Sequence, residues 1–235
     1  MEKINAGIVG VGVCLPQRVL TNDELAQMVD TNDAWIQERT GIRERRIAAP
    51  DQAASDLGVV AARQALANAG VTPQEIDLII VATATPDMQF PATACLIAEK
   101  LGLDTTPAFD VAAGCTGFIY ALTIGSQFIV NRFYRNVLVI GAEVLSKVTN
   151  WTDRETCILL ADGAGAVVLR PVAADRGILA MKLGADGAGG KELSLPAGGS
   201  RMPLTAEGLA ANLNKLHMNG STVFKFAMRI LPEVT

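Results

Sequence analysis

Of all the residues in this sequence, Cys115 has the neighbours best suited to a nucleophile. It stands in the segment FDVAAGCTGF, residues 109–118, where an apolar run gives way to small residues and then to a long uncharged stretch. This order predicts a strand, a turn and a helix, with Cys115 at or beside the helix N-terminus. The helix dipole and the unpaired amides there favour a thiolate. A thiolate flanked by small residues suits acyl transfer through a thioester.

A structural role for this cysteine is the competing interpretation, in which Cys115 is one more small buried residue like Cys14, Cys95 and Cys157. The residues alone leave both interpretations open. The sequence contains no C-x-x-C pair and His217 is its only histidine, so a zinc site is not expected. A cysteine hydrolase would need a histidine base near Cys115, and His217 is a poor candidate. We expect free thiols in a reducing cytoplasm.

Composition and charge exclude several classes of partner. Half of the 235 residues are apolar and the net charge is -4, which does not indicate a nucleic-acid-binding protein. The uncharged stretch 111–131 is long enough to cross a bilayer. Its glycines and polar residues favour a helix buried on all sides instead, so no membrane partner is expected. The glycine-rich segments 7–12 and 187–191 each lack a residue that nucleotide-binding loops require.

The elements that must position Cys115 alternate between strand and helix patterns, which predicts an α/β fold with a parallel or mixed sheet. Glycines alternating with apolar residues over 6–15 predict a buried strand that another backbone approaches closely. Residues 184–208 are predicted to be irregular, and an amphipathic helix is predicted from Val223. Further strands are predicted over 78–82, 108–111, 137–140, 163–169 and 178–184, and helices over 22–30, 32–39, 55–69, 93–101 and 116–131.

Several segments together resemble the beta-ketoacyl-[acyl-carrier-protein] synthase III family, the priming condensing enzymes of bacterial type II fatty-acid synthesis. Residues 110–118 resemble the nucleophile segment of the family, and residues 30–46 resemble its early, tryptophan-containing signature. Residues 90–95, 161–166 and 218–225 are similar to further family segments, in the same order. The resemblance covers essentially the whole chain.

This resemblance implies the thiolase-like layered α-β-α-β-α fold, which consists of two similar halves. Residues 1–172 would form the first half, and residues 178–235 would begin an incomplete second half. The implied enzyme is an acyltransferase. A short acyl-CoA, most simply acetyl-CoA, acylates Cys115, and malonyl-acyl-carrier-protein then loses carbon dioxide and attacks the thioester to give a 3-oxoacyl-carrier-protein. CoA enters as part of the substrate, and no cofactor or metal is implied.

The resemblance also assigns roles to individual residues outside the nucleophile segment. Trp35 and Arg154 match the pair that sandwiches the CoA adenine, which suits an indole and a guanidinium plane. Thr31 and Arg39 match further CoA contacts. Phe90 matches a residue that reaches into the acyl pocket of a partner subunit, which implies a homodimer.

A basic cluster, Arg43, Arg45 and Arg46, lies in the same early signature. It could meet an acidic carrier protein or the CoA phosphates. We interpret it instead as a surface cluster that contains at most one structural ion pair.

The family completes its site with a downstream His and Asn that stabilise developing enolate charge. No residue here matches them, and His217, which directly precedes Met218, is not that histidine. We therefore expect that these residues alone do not catalyse the condensation. Our hypothesis is that the sequence is a truncated or partly recorded form of a longer synthase. An intact mass near 24.7 kDa would indicate a fragment.

Two further alternatives stay open at this point. One is a non-catalytic acyl-CoA-binding module of the same fold. The other is a different condensing enzyme of the superfamily, resembling chalcone synthase or 3-hydroxy-3-methylglutaryl-CoA synthase, against which the segment around Trp35 argues.

Overall fold

The chain folds into alternating strands and helices, as a computed structural model of residues 3–234 shows. The α-helices are α1 (Asn22–Leu25), α2 (Asp33–Thr40), α3 (Ala54–Ala69), α4 (Thr93–Lys100), α5 (Gly117–Val130), α6 (Arg154–Cys157), α7 (Ala206–Ala210) and α8 (Gly220–Val234). The strands are β1 (Ile4–Cys14), β2 (Arg18–Thr21), β3 (Glu44–Ile47), β4 (Leu78–Ala82), β5 (Ala108–Val111), β6 (Val137–Val144), β7 (Asp162–Ala173), β8 (Leu193–Ser194) and β9 (His217–Met218).

Five of the strands form a mixed sheet in the order β1-β7-β6-β4-β5. Strand β4 pairs in parallel with both β5 and β6, whereas β7 runs antiparallel to β6 and β1. The predicted mixed sheet is thereby confirmed. All five residues of β4 are buried, as expected for a central strand of continuous apolar sequence. Pairs β2/β3 and β8/β9 form separate two-stranded sheets.

Helices cover both faces of the main sheet. On one face, Leu57 of α3 and Ile97 of α4 pack against alternate residues of β4, β6 and β7. On the other face, Ala121 and Ile129 of α5 pack against the intervening residues of the same strands. Helix α5 therefore lies directly on the sheet, and its N-terminus lies near the carboxyl ends of β4 and β5.

The predicted close approach to the first strand is confirmed, and the approaching backbone is that of α3. A Cβ atom on Gly12 would lie 2.1 Å from the carbonyl oxygen of Ala61, and one on Gly10 would lie 2.3 Å from that of Ala65. Only half of the burial prediction holds, because among the described residues α3 covers only one face of β1 closely. Its other face leaves Val11 56% exposed.

Two further predictions are wrong. The helix predicted over 22–30 ends at Leu25, and its N-cap is Thr21, which forms a capping box with Glu24. The strand predicted over 178–184 is absent, although this range is fully described. Ile178 donates one backbone hydrogen bond to the carbonyl of Ala6, and then the chain leaves the sheet. The amphipathic C-terminal helix is confirmed as α8.

The uncharged stretch 111–131 forms the end of β5, a turn and the 14-residue α5. Only one side of α5 is buried, including Gly117, Ala121 and Gly125, so the expectation of burial on all sides is wrong. Nowhere in residues 3–234 is there a helix long and apolar enough to span a membrane.

The chain divides into two compact units, each assembled from three segments. The first unit contains the main sheet, and its segments are the described residues up to Arg18, then 46–144 and 162–183. The second unit contains α1, α2 and α6, and its segments are 19–45, 145–161 and the described residues from Gly184 onward. The expected division near residues 172–178 stays a prediction.

Candidate functional site

Cys115 lies in the turn between β5 and α5, in the first unit. A short 3-10 helix spans Gly114–Thr116, and Thr116 is the N-cap of α5. Gly114 has φ +54°, a left-handed conformation that glycine adopts without strain. The Thr116 hydroxyl donates to the carbonyl of Ala113, at 3.0 Å, instead of accepting from a first-turn amide. Cys115 is therefore exposed immediately before an N-terminus whose amides have no side-chain cap among the described residues.

The turn is fixed by contacts on both sides of Cys115. The carboxylate of Asp110 accepts hydrogen bonds from the backbone amides of Thr93 and Ala94, at 2.7 and 2.8 Å, which join β5 to the first turn of α4. After the cysteine, a Cβ atom on Gly117 would lie 3.3 Å from the Cβ of Ala82. Glycine thus lets α5 begin close to the end of β4, and Asp110 holds the preceding strand.

The other cysteines differ in their accessibility. Cys157 is buried, and burial raises the pKa of its thiol. Cys14 is half-buried, and burial again raises its pKa. Cys95 on α4 is exposed, which corrects the expectation of a small buried residue. Its Sγ lies 3.7 Å from the carbonyl oxygen of Ala108. Exposure therefore separates Cys115 from two of the three other thiols but not from Cys95.

Glu143, which the sequence does not single out, lies near the carboxyl end of β6, just as Cys115 follows the carboxyl end of β5. Glu143, near the end of β6, accepts a hydrogen bond from the amide of Ala84 at 2.7 Å and another from the hydroxyl of Thr85. That hydroxyl also accepts from the amide of Val144, at 2.8 Å. Burial raises the pKa of Glu143, against the opposing effect of these hydrogen bonds.

The second unit brings together two of the predicted CoA-binding residues. The guanidinium carbon of Arg154 lies 4.9 Å from the centroid of the Trp35 ring. Arg154 also donates to the carbonyl of Asp30, at 2.9 Å. Trp35 occupies the first turn of α2, where its amide donates to the Asn32 side chain, the N-cap, at 2.9 Å. A ring inserted between the two planes would need them roughly 7 Å apart, so Arg154 must swing outward to admit one.

The remaining predicted CoA contacts lie on the same helix or directly before it. The hydroxyl oxygen of Thr31 is buried and has no hydrogen-bond partner among the residues that the structure describes. Arg39 is exposed in the last turn of α2. The structure thus places Thr31, Trp35, Arg39 and Arg154 in one unit, and it leaves a polar atom of Thr31 unsatisfied.

The basic cluster does not behave as expected. Arg43 is exposed, but Arg45 is only 1% exposed. The guanidinium of Arg45 donates to the carbonyl of Ile158 and to the side chain of Asn22, and within residues 3–234 it forms no ion pair. The signal that could have revealed this is period-two alternation, because Arg45 shares a face of β3 with buried Ile47.

Phe90, the predicted acyl-pocket residue, lies in the first unit after β4. Its side chain is 87% exposed, and the bond to Pro91 is cis. So large an exposed aromatic ring is unusual on a protein surface and is typical of a contact residue. The structure does not place Phe90 in a pocket of its own unit.

Two features do not contribute to the predicted site. A ring nitrogen of His217 lies 3.2 Å from the carbonyl oxygen of Asn212, and the ring is exposed. A cavity of about 630 Å³ opens at the C-terminal end of α5, the opposite end from Cys115. Its lining includes Asp77, Arg132, Phe133, Tyr134, Arg135 and Arg170.

Sequence comparisons point to one family. The profile of the family 3-oxoacyl-[acyl-carrier-protein (ACP)] synthase III matches residues 109–187. A beta-ketoacyl-[acyl-carrier-protein] synthase III of Caldanaerobacter subterraneus is 55% identical over 100% of this chain and 71% of its own length. A second, from Symbiobacterium thermophilum, is 56% identical over 97% of this chain and 69% of its own length.

Solved structures agree with the sequence relatives. The crystal structure of 3-oxoacyl-[acyl-carrier-protein] synthase III from Aquifex aeolicus superposes with a TM-score of 0.86 at 43% identity, covering 97% of this chain and 69% of that one. The predicted thiolase-like α/β fold is confirmed by this similarity. The chain spans about 70% of the length of these relatives.

Proposed function

The chain belongs to the beta-ketoacyl-[acyl-carrier-protein] synthase III family, and we propose that Cys115 is the residue that its acyl-CoA substrate acylates. The observation that carries this assignment is the exposure of Cys115 directly before the N-cap of α5. The positive end of a 14-residue helix stabilises an adjacent anion, both the thiolate and the oxyanion that forms when the thiolate attacks a carbonyl.

The enzyme is an acyltransferase that condenses a short acyl-CoA with malonyl-acyl-carrier-protein and starts fatty-acid synthesis. Identity above 50% over the whole chain favours this function over a non-catalytic binding module and over other condensing enzymes. In the first half-reaction, the Cys115 thiolate attacks the acyl thioester, the bond between the carbonyl carbon and the CoA sulfur breaks, and CoA leaves as its thiolate, which takes a proton from water. In the second, malonyl-acyl-carrier-protein loses carbon dioxide, its carbanion attacks the acyl group, and the thiolate is released. No cofactor takes part in either step of this proposal.

We assign adenine recognition to Trp35 and Arg154, with Thr31 and Arg39 as further CoA contacts. The contact between the indole and the guanidinium supports this assignment, because both planes can stack on a purine. The unsatisfied Thr31 hydroxyl supports it as well, because a ligand oxygen could complete its hydrogen bonding. Arg39 is an exposed cation that can pair with a phosphate.

Replacement of Trp35 tests the CoA assignment. Base–aromatic stacking is worth about 1–3 kcal/mol, so Trp35→Ala should weaken CoA binding roughly 5- to 140-fold. Acyl transfer from acetyl-pantetheine, which lacks the adenine, should be unaffected. Trp151→Phe, at the other tryptophan, is the matched control. Equal losses with both acyl donors would contradict a role in adenine stacking.

Further partners of the proposed enzyme follow from its reaction. Malonyl-acyl-carrier-protein is the second substrate, and the use of CoA thioesters and carrier protein favours a cytoplasmic location. The 87% exposed ring of Phe90 supports a homodimer in which it enters the acyl pocket of the partner subunit. Sedimentation equilibrium tests this point. A dimer of 24.7 kDa chains that Phe90→Asp weakens is expected, and a monomer at micromolar concentration would contradict it.

A further inference from the structure

We infer that the buried guanidinium of Arg45 is a positioning residue that holds α2 and α6 together, so that Trp35 and Arg154 face each other across the adenine site. This inference rests on the proposed CoA assignment and deepens it. Arg45 itself touches neither of the two stacking side chains in the described contacts. It acts on Arg154 through the backbone of α6. It acts on Trp35 through hydrogen bonds between side chains that connect it to α2.

The link to α6 is direct. Ile158 is the C-cap of α6, the short helix that begins at Arg154. The Nε atom of Arg45 donates to the Ile158 carbonyl at 2.9 Å, and one terminal nitrogen donates to the same oxygen. Two hydrogen bonds from one planar group fix the direction of that carbonyl, and therefore the position of the helical turn before it.

The link to α2 runs through Asn22. The other terminal nitrogen of Arg45 donates to the Asn22 side-chain oxygen at 2.7 Å, and the Asn22 amide donates to Asp33 at 2.8 Å and to the Ile42 carbonyl at 2.9 Å. Asp33 is the first residue of α2, and Gln37 donates to its carboxylate one turn later. Asn22 therefore ties Arg45 to both ends of the helix that carries Trp35.

The burial of Arg45 argues that this arrangement has a role beyond packing. A buried charge without a carboxylate partner is costly, and an apolar side chain of similar volume is often as stable. Arg45 is 1% exposed, and its acceptors in the described structure are the uncharged oxygens of Ile158 and Asn22. Unlike an apolar side chain, the guanidinium has three donors that form directional hydrogen bonds. These hydrogen bonds fix the end of α6 and the Asn22 side chain relative to each other.

Binding and transfer measurements on Arg45→Met test the inference. In a Trp151→Phe background, Trp35 is the only tryptophan and its emission reports CoA binding. We expect the Kd for CoA to rise about 10- to 100-fold, as for groups that orient metal ligands. Transfer from acetyl-CoA should fall in parallel. Transfer from acetyl-pantetheine should stay within about twofold, because that donor does not use the adenine site. Arg45→Lys, with one compact donor group, should be intermediate.

Two controls keep the result interpretable. Arg18→Met removes the same charge from an exposed position on β2 and should leave binding and transfer unchanged. Asn22→Ser removes the hydrogen bonds that connect Arg45 to α2 but keeps those from Arg45 to Ile158. If Arg45→Met does not fold, this variant still tests whether the network positions the adenine site. It should weaken CoA binding about three- to tenfold with unchanged transfer from acetyl-pantetheine.

Three outcomes would overturn the inference. In the first, folded Arg45 and Asn22 variants bind CoA as the parent does. In the second, both acyl donors lose transfer equally, which indicates a general structural role. In the third, the parent protein does not bind CoA at all. That outcome would also remove the CoA assignment itself, whereas the first two leave the assignment standing.

Discussion

Three neighbours position the proposed nucleophile Cys115, each in a different way. Gly114 turns the chain with a φ of +54°, Thr116 begins α5, and Gly117 lets the helix start against β4. A Cβ atom at position 117 would lie 3.3 Å from the Cβ of Ala82, so the neighbouring atoms would have to shift slightly. Small residues thus position the proposed nucleophile, and the place of the turn leaves its side chain exposed.

Glu143 should make stability depend on pH. Its pKa is raised in the folded state, so folding favours the protonated carboxyl. This contribution is fully present below the ordinary glutamate pKa, about 4.3, and is lost as the pH rises through the folded value. Urea unfolding should therefore show wild type losing stability relative to Glu143→Gln as the pH rises above the ordinary glutamate pKa, about 4.3. Glu99→Gln, at an exposed position on α4, should not reproduce the difference. If the difference in unfolding free energy between wild type and Glu143→Gln did not change with pH, the raised pKa of Glu143 would be contradicted.

At the scale of elements, the contact between β1 and α3 depends on glycine. A Cβ atom at position 12 would lie 2.1 Å from the Ala61 carbonyl oxygen, so Gly12→Ala must push the helix away from the strand. We expect Gly12→Ala to lower the free energy of unfolding by about 1–3 kcal/mol in urea titrations. Gly165→Ala on the neighbouring β7, where a Cβ atom would lie 4.0 Å from the Gly12 carbonyl oxygen, is the control. Equal stability of both variants would contradict the close approach.

Local sequence predicts most of the elements because their signals are local. Gly41 and Gly70 end α2 and α3 in left-handed conformations, and β4 follows from a continuous apolar run. The strand predicted over 178–184 fails because apolar composition cannot show whether a partner strand is present. Ile178 makes one hydrogen bond with β1, and Leu179 is already exposed.

Some residues of the candidate site are indicated by local sequence, and others depend on contacts with distant parts of the chain. The turn around Cys115 and the first turn of α2 are local, so the sequence alone indicates them. The hydrogen bonds of Arg45 to Asn22 and Ile158 span 23 and 113 residues, and those of Glu143 to Ala84 and Thr85 span 59 and 58. Period-two alternation in β3 could indicate that Arg45 is buried, but no periodicity or spacing in one sequence identifies its distant partners. Sequence alone therefore gives no role to Glu143 and places Arg45 on the surface, where the structure buries it.

At the scale of the whole molecule, this chain covers 71% of the relative from Caldanaerobacter subterraneus, and these 235 residues alone hold no match to the downstream His and Asn that the family resemblance implies. The only histidine, His217, lies against the Asn212 carbonyl. We expect a protein of these 235 residues, given acetyl-CoA and malonyl-acyl-carrier-protein, to become acetylated without forming the 3-oxoacyl product above background. The relative from Caldanaerobacter subterraneus, of which this chain covers 71%, is the positive control. Product formation at the control's rate would contradict this expectation.

The most direct test of the central claim is to locate the acetyl group after incubation with acetyl-CoA, by peptide mass mapping under conditions that preserve thioesters. We expect one acetyl group, on the peptide that contains Cys115. It should disappear in Cys115→Ser and persist in Cys95→Ser, which removes the other exposed thiol. An acetyl group on Cys95, or labelling that survives Cys115→Ser, would contradict the assignment of Cys115 as the nucleophile.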